Sequence, residues 1–96
     1  MLFVRQLVWD GWNVEHIARH GIAPEEVEEV CHQQPVFVDT YNLRVLVIGP
    51  TVASKMVSAI LAPKGDDCYY PVTARSASRK ERKIYESLKG GDVSDK

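Results

Sequence analysis

Apolar positions follow two different periods along this chain, and each change of period marks a change of element. LFVRQLVW, residues 2 to 9, reads as an opening strand. Asp10 is placed to cap a helix running to about His20, because Val14, Ile17 and Ala18 fall on one face at helical spacing. Gly21 follows as the left-handed residue that ends it, with Ile22 closing a Schellman motif on Ile17. A second helix starts at Pro24, whose fixed φ suits the first helical position, and carries Glu25 and Glu26 in the turn where the macrodipole favours negative charge. Val27, Val30 and Cys31 form its apolar stripe, and Pro35 forbids its continuation.

The period then shortens to two. VFVDT (36–40), LRVLVIG (43–49) and MVSAILA (56–62) are rich in β-branched residues and are separated by turn signals at Tyr41-Asn42 and Gly49-Pro50. A polar turn over Lys64-Gly65-Asp66-Asp67 leads into CYYPVTA (68–74), where Pro71, lacking a ladder donor, belongs at a bulge or with its nitrogen facing away from a neighbour. A last helix follows Ser78. The expected class is α+β: a small, mostly antiparallel sheet made by meander, with two N-terminal helices and one C-terminal helix. Residues 1–89 are expected to form a single domain and GGDVSDK, residues 90–96, a flexible tail.

Composition narrows the class without naming a function. The chain has 96 residues, 45% apolar and 26% charged, in the ordinary globular range. No stretch approaches the roughly 20 apolar residues that span a membrane, and the opening lacks a signal-peptide pattern, so the expected location is the cytoplasm, away from membranes. Cys31 and Cys68 are expected to be reduced thiols without chemistry. The net charge of −1 hides a split. Residues 1–43 hold two cations against seven carboxylates, a balance of −5, and residues 44–89 hold nine against four, a balance of +5.

Five of the twelve Lys and Arg residues lie between Arg75 and Lys83, at the junction of the last strand and last helix. Ser78-x-x-Glu81 is a capping box, which puts Arg79, Lys80 and Arg82 in the first turns of that helix. Cations there oppose the macrodipole at about 0.3–1 kcal/mol each, so local energetics argue against the placement, whereas a phosphate at the helix start would reward it. Strict alternation puts Arg75 on one sheet face with Tyr69, Pro71 and Thr73. Glu81, Ile84, Tyr85 and Leu88 form the helix stripe that docks on the sheet. An ordinary solvated basic surface is the alternative to a phosphate site.

The order WDGWNVEHIARHGIAPEEVEEV, RVLVIG, TARSASRKERKIYE resembles the BrnT family of type II toxin proteins, through Trp9, Asp10, Asn13, His20, Gly21, Glu25, Glu26, Arg44, Ile48, Gly49, Ala74, Arg75, Ala77, Ser78, Glu81, Arg82 and Tyr85. The resemblance runs from about residue 8 to residue 86. It implies a RelE-like, barnase-like ribonuclease fold, RNA cleavage without a metal or other cofactor, and neutralisation by a cognate small DNA-binding antitoxin of ribbon-helix-helix or similar type, through which oligomers form. The other reading of the same fold is a non-catalytic interaction domain for a partner protein or nucleic acid.

Metal-free cleavage of RNA needs a base for the 2′-hydroxyl, an acid for the 5′ oxygen and positive charge on the phosphorane. Arg75 is the first candidate for that charge, with Arg79 and Arg82 holding the backbone. The base and acid stay open between His20, Tyr69 and Tyr85. His20 is otherwise a helix-terminal residue on the dipole, and Tyr85 half-buried packing. Arg44, Lys55, Tyr69, Thr73, Lys80 and Lys83 complete the substrate-binding set. His16 and His20 stand at i, i+4 but lack further ligands of recognisable zinc spacing. Trp9 and Trp12 are base-stacking candidates, with core packing as the alternative.

Overall fold

The computed structural model describes residues 3–40 and 42–89; the expected tail at 90–96 and Tyr41 of the expected turn lie outside them. The elements in chain order are β1 (Gln6–Leu7), α1 (Gly11–Ala18), α2 (Pro24–Cys31), β2 (Val36–Asp39), β3 (Val45–Pro50), β4 (Met56–Gly65), β5 (Cys68–Ser76) and α3 (Arg79–Lys89). One five-stranded sheet runs β1-β5-β4-β3-β2. Strands β2 to β5 form the expected antiparallel meander, while β1 joins β5 in parallel, so the sheet is mixed.

Helices α1 and α2 cover one face. Ile17, Val27 and Val30 are fully buried there against Val47, Val57 and Leu61, each such side chain stabilising the fold by about 1.5–3 kcal/mol. Helix α3 crosses the other face over a smaller cluster of Val36, Ile48 and Ala77, with Ile84 and Tyr85 half-buried against it. Leu88, expected in the docking stripe, is instead exposed.

The caps follow the sequence closely. Asp10 accepts from the Asn13 N–H and Asn13 Oδ1 accepts from the Asp10 N–H, a reciprocal box. Gly21 has φ +77°, and the bonds Gly21 N–H to Ala18 O (3.0 Å) and Ile22 N–H to Ile17 O (3.1 Å) make the Schellman motif. Ala23 offers no side-chain acceptor to α2, so only half a box forms, with Glu26 accepting from the Ala23 N–H at 2.9 Å.

The opening strand is far shorter than residues 2–9, and Pro71 explains why. The Val8 N–H donates to the Tyr69 carbonyl at 2.8 Å, and the next bond of a parallel ladder would need the N–H that Pro71 lacks. Asn13 takes over: its fully buried amide donates to the Val8 carbonyl (3.0 Å) and the Pro71 carbonyl (3.2 Å). A side chain on α1 thus closes the edge where the backbone cannot.

Pro71 also marks the expected bulge. Ile60 pairs with Thr73 but Leu61 pairs with Pro71, leaving Val72 as the extra residue. The bulge reverses the alternation, and the expected common face of Arg75 with Tyr69 and Pro71 is corrected. Tyr69, Pro71 and Ala74 face the helical core, while Thr73 and Arg75 face the α3 side. A second irregularity at Lys64 precedes a two-residue turn with Asp66 and Asp67 both at left-handed φ, so β4 extends three residues beyond its expected end.

The acidic run of α2 is largely committed to the fold. Besides Glu26, which also pairs with Lys55 at 3.4 Å, Glu28 accepts from Trp9 Nε1 at 2.9 Å and Glu29 from the Val52 N–H at 3.0 Å. Cys31 is buried and its thiol is pushed up to about 12 by burial and then by Glu28, while half-buried Cys68 accepts from Arg5 Nη2 at 3.1 Å; both cysteines are free.

Candidate active site

The site forms where β5 hands the chain to α3. Ser78 Oγ accepts from the Glu81 N–H at 3.1 Å and Glu81 Oε1 accepts from the Ser78 N–H at 2.8 Å, so the capping box is present. It aims the Glu81 carboxylate back at the sheet. There, Ser58 on β4 and Arg75 on β5 are ladder partners, and both side chains rise towards α3. The buried Ser58 hydroxyl donates to Glu81 Oε1 at 3.0 Å. Arg75 donates from Nη1 to Oε1 at 3.0 Å and from Nη2 to Oε2 at 2.8 Å, and Nη1 also reaches the Ser76 carbonyl at 3.3 Å.

Burial acts to raise the pKa of Glu81, but the bonds from the Ser78 N–H, the Ser58 hydroxyl and the Arg75 guanidinium outweigh it and hold the group below the ordinary carboxylate value. Glu81 is therefore an anion at neutral pH.

Counting valences tells what this pair can still do. A carboxylate offers about four acceptor positions. Oε1 is crowded by Ser78, Ser58 and Arg75, whereas Oε2 accepts only from Arg75 Nη2. Of the five guanidinium N–H groups, two on Nη1 and one on Nη2 are used. The two that remain, on Nε and Nη2, share one edge, the fork that fits two phosphate oxygens. The Arg75 side chain is 49% exposed. One oxygen able to take a proton thus lies beside one edge able to hold a phosphate.

The arrangement differs from three free guanidiniums converging on one point. Arg75 is ion-paired, and Arg82 Nη1 donates to the Ala77 carbonyl at 3.0 Å. Arg79, Lys80 and Lys83 are exposed on α3, so the cationic ridge is real and open to solvent. Thr73 shares the Arg75 face two residues away. Tyr85 packs one helical turn beyond Glu81 over Val36 and Ile48. Arg44 lies at the far end of the same sheet face.

Three expected members are elsewhere. Tyr69 is buried on the opposite face, turned there by the bulge, so it does not join Arg75. Lys55 is drawn to Glu26 and to the Gly21 carbonyl at 3.2 Å, over the α1–α2 connection. His20 is exposed in the turn that follows α1, edge-on to His16 at 5.5 Å between ring centroids, with the exposed Trp12 stacked on His16 at 4.8 Å. Among the described residues no group of three or more His, Cys, Asp or Glu side chains is placed to hold a metal ion.

Glu81 and Ser58 are the residues that sequence reasoning passed over as chemistry. Glu81 reads in sequence as a cap, and the same carboxylate also binds Ser58 and Arg75. Ser58 has no motif of its own; only the β4–β5 register could have located it.

A meandering sheet with a parallel edge strand, two helices on one face and one across the other, is an α+β architecture. Among solved structures it resembles the Brucella abortus ribonuclease toxin BrnT, with a TM-score of 0.63 and 23% sequence identity over 77% of this chain and 97% of that one. The chain has a BrnT-like fold. No protein-family model matches the chain, and no curated protein matches it in sequence. No helix among the described residues is long and apolar enough to cross a membrane.

Proposed function

We propose that this protein is a ribonuclease toxin of a toxin–antitoxin pair, cutting RNA in the cytoplasm at the Arg75–Glu81 pair. The observation that carries the reading is the free Nε/Nη2 edge of Arg75 beside the uncrowded Oε2 of Glu81. The edge grips the scissile phosphate, and Oε2 takes the 2′-hydroxyl proton. The 2′ oxygen attacks phosphorus, the bond to the 5′ oxygen breaks, and the proton held by Glu81 returns to that oxygen directly or through water. The products are a 2′,3′-cyclic phosphate and a 5′-hydroxyl. Arg75 offsets the charge that builds on the phosphorane. Ser58 holds Oε1 so that Oε2 faces the substrate. Arg79, Lys80, Arg82 and Lys83 attract the RNA backbone, a contribution that salt weakens. The likeness of fold to a ribonuclease toxin supports the class, and a small DNA-binding antitoxin is the expected neutralising partner.

The test is incubation of the purified protein with RNA, with and without EDTA. Cyclic-phosphate ends that persist in EDTA and form far more slowly in Glu81→Gln support the reading. RNA left intact favours a non-catalytic interaction domain instead, a reading consistent with the resting ion pair that balances the Arg75 charge.

A further inference from the structure

Among the described residues, the α3 side of the sheet is covered at one end only. Helix α3 lies over Val36 and Ile48 with Leu46 packed against that cluster, and next to Leu46 the half-buried Ile60 and Thr73 continue the surface across β4 and β5 as a platform. At the far end of that platform is a concavity of about 270 Å³ lined by Thr40, Asn42, Arg44 and Ile60. Arg44 has the same strand parity as Leu46 and Ile48, which places it on the Arg75 face. Asp39, the nearest carboxylate on β2, pairs with Val45 and so has the opposite parity. Arg44 is exposed and belongs to no ion pair among the described residues, unlike Arg75.

We propose that this concavity is a nucleotide subsite of the same active site, taking one base and its phosphate at a distance from the bond that is cut. The proposal rests on the RNA-cleaving reading and assigns the substrate its length and path. Arg75 and Arg44 are separated by two strand spacings and four residues, about 17 Å along the sheet diagonal. A phosphate on each cation therefore needs intervening nucleotides, and the sheet between them offers Ile60 and Thr73 rather than charge. Arg44 supplies the phosphate contact, and the Asn42 amide, with both donors and an acceptor, reads a base edge. Only a single strand with its bases splayed can lie flat on this face, the form in which RNA sequence is generally read.

Cleavage is compared for a dinucleotide and a hexanucleotide RNA, using wild type and Arg44→Gln. The wild type is expected to prefer the hexanucleotide in kcat/KM, and the variant to lose at least tenfold of that preference, mainly through KM. A hexanucleotide-to-dinucleotide ratio equal in both proteins overturns the subsite. Binding of fluorescently labelled hexanucleotide provides a second readout that does not need cleavage: Arg44→Gln is expected to weaken it and to reduce the salt slope by about 1. Unchanged affinity and slope overturn the subsite as well. A wild type that binds in this Arg44-dependent way yet cuts nothing leaves the subsite standing and sinks the nuclease reading. Asn42→Ala is expected to flatten base preference across a hexanucleotide library, and an unaltered preference removes Asn42 from the subsite.

Discussion

Glu81 Oε2 lies 2.8 Å from Arg75 Nη2, so the anion at the first turn of α3 is neutralised by the last exposed cation of β5. Loss of Glu81 as base is expected to reduce cleavage by about 10²–10⁴-fold in Glu81→Gln, the range for a positioned proton acceptor. Arg75→Lys keeps the charge but loses the fork, so it is expected to fall well below wild type. Arg75→Ala is expected to abolish growth arrest on induced expression, with the fold intact by circular dichroism. Full toxicity of Arg75→Ala would remove Arg75 from the mechanism.

The depressed pKa of Glu81 fixes the sign of two pH effects. In the proposed role of base Glu81 would act in its ionised form, so kcat/KM is expected to stay flat through neutral pH and to fall only below the ordinary carboxylate value of 4.5. Stability follows the same direction. A carboxylate with a lowered folded pKa contributes stability that is fully present above its unfolded pKa and is lost as pH falls through the folded one. Urea unfolding of wild type and Glu81→Gln across that window is expected to show the steeper acid loss in wild type.

Asn13 is a structural residue with a steep expected cost. Its amide satisfies two carbonyls, and its Oδ1 satisfies the Asp10 N–H. Asn13→Leu strands these groups at a fully buried position, and a loss of about 2–4 kcal/mol is expected by chemical denaturation, one buried group costing about 1–3 kcal/mol. A loss below that of an ordinary surface substitution would mean that β1 is held by other contacts.

Gly49 marks the tightest passage between β3 and the end of α2. A Cβ there would sit 3.0 Å from Pro35 Cβ and 3.3 Å from Val30 Cγ1. Gly49→Ala is expected to destabilise by about 1–3 kcal/mol through overpacking, read as a lower thermal midpoint. An unchanged midpoint would show that Pro35 moves aside freely.

Local chemistry made much of the fold legible. The Asp10 cap, the Gly21 stop, the entry at Pro24, the four-strand meander and the Ser78–Glu81 box each depend on residues within a few positions of one another, so the sequence displays them directly. Arg75 and the basic ridge of α3 were visible for the same reason, because the last strand and last helix are adjacent in the chain. Pro71 pointed to a bulge or to a nitrogen facing away from a neighbour, yet not to which side each flanking residue would take.

Tertiary structure decided what depends on register and on distant pairing. One extra residue at Val72 sent Tyr69 into the core while leaving Thr73 with Arg75, since a shift of one position reverses every face in a strand of period two. The length of β1 was set by a missing N–H on Pro71 and an amide on α1, 58 residues apart in sequence. Lys55 was claimed by Glu26, across 29 residues. Ser58 joined Arg75 and Glu81 only because β4 lies beside β5 under the start of α3, bringing its hydroxyl within 3.0 Å of a carboxylate 23 residues away.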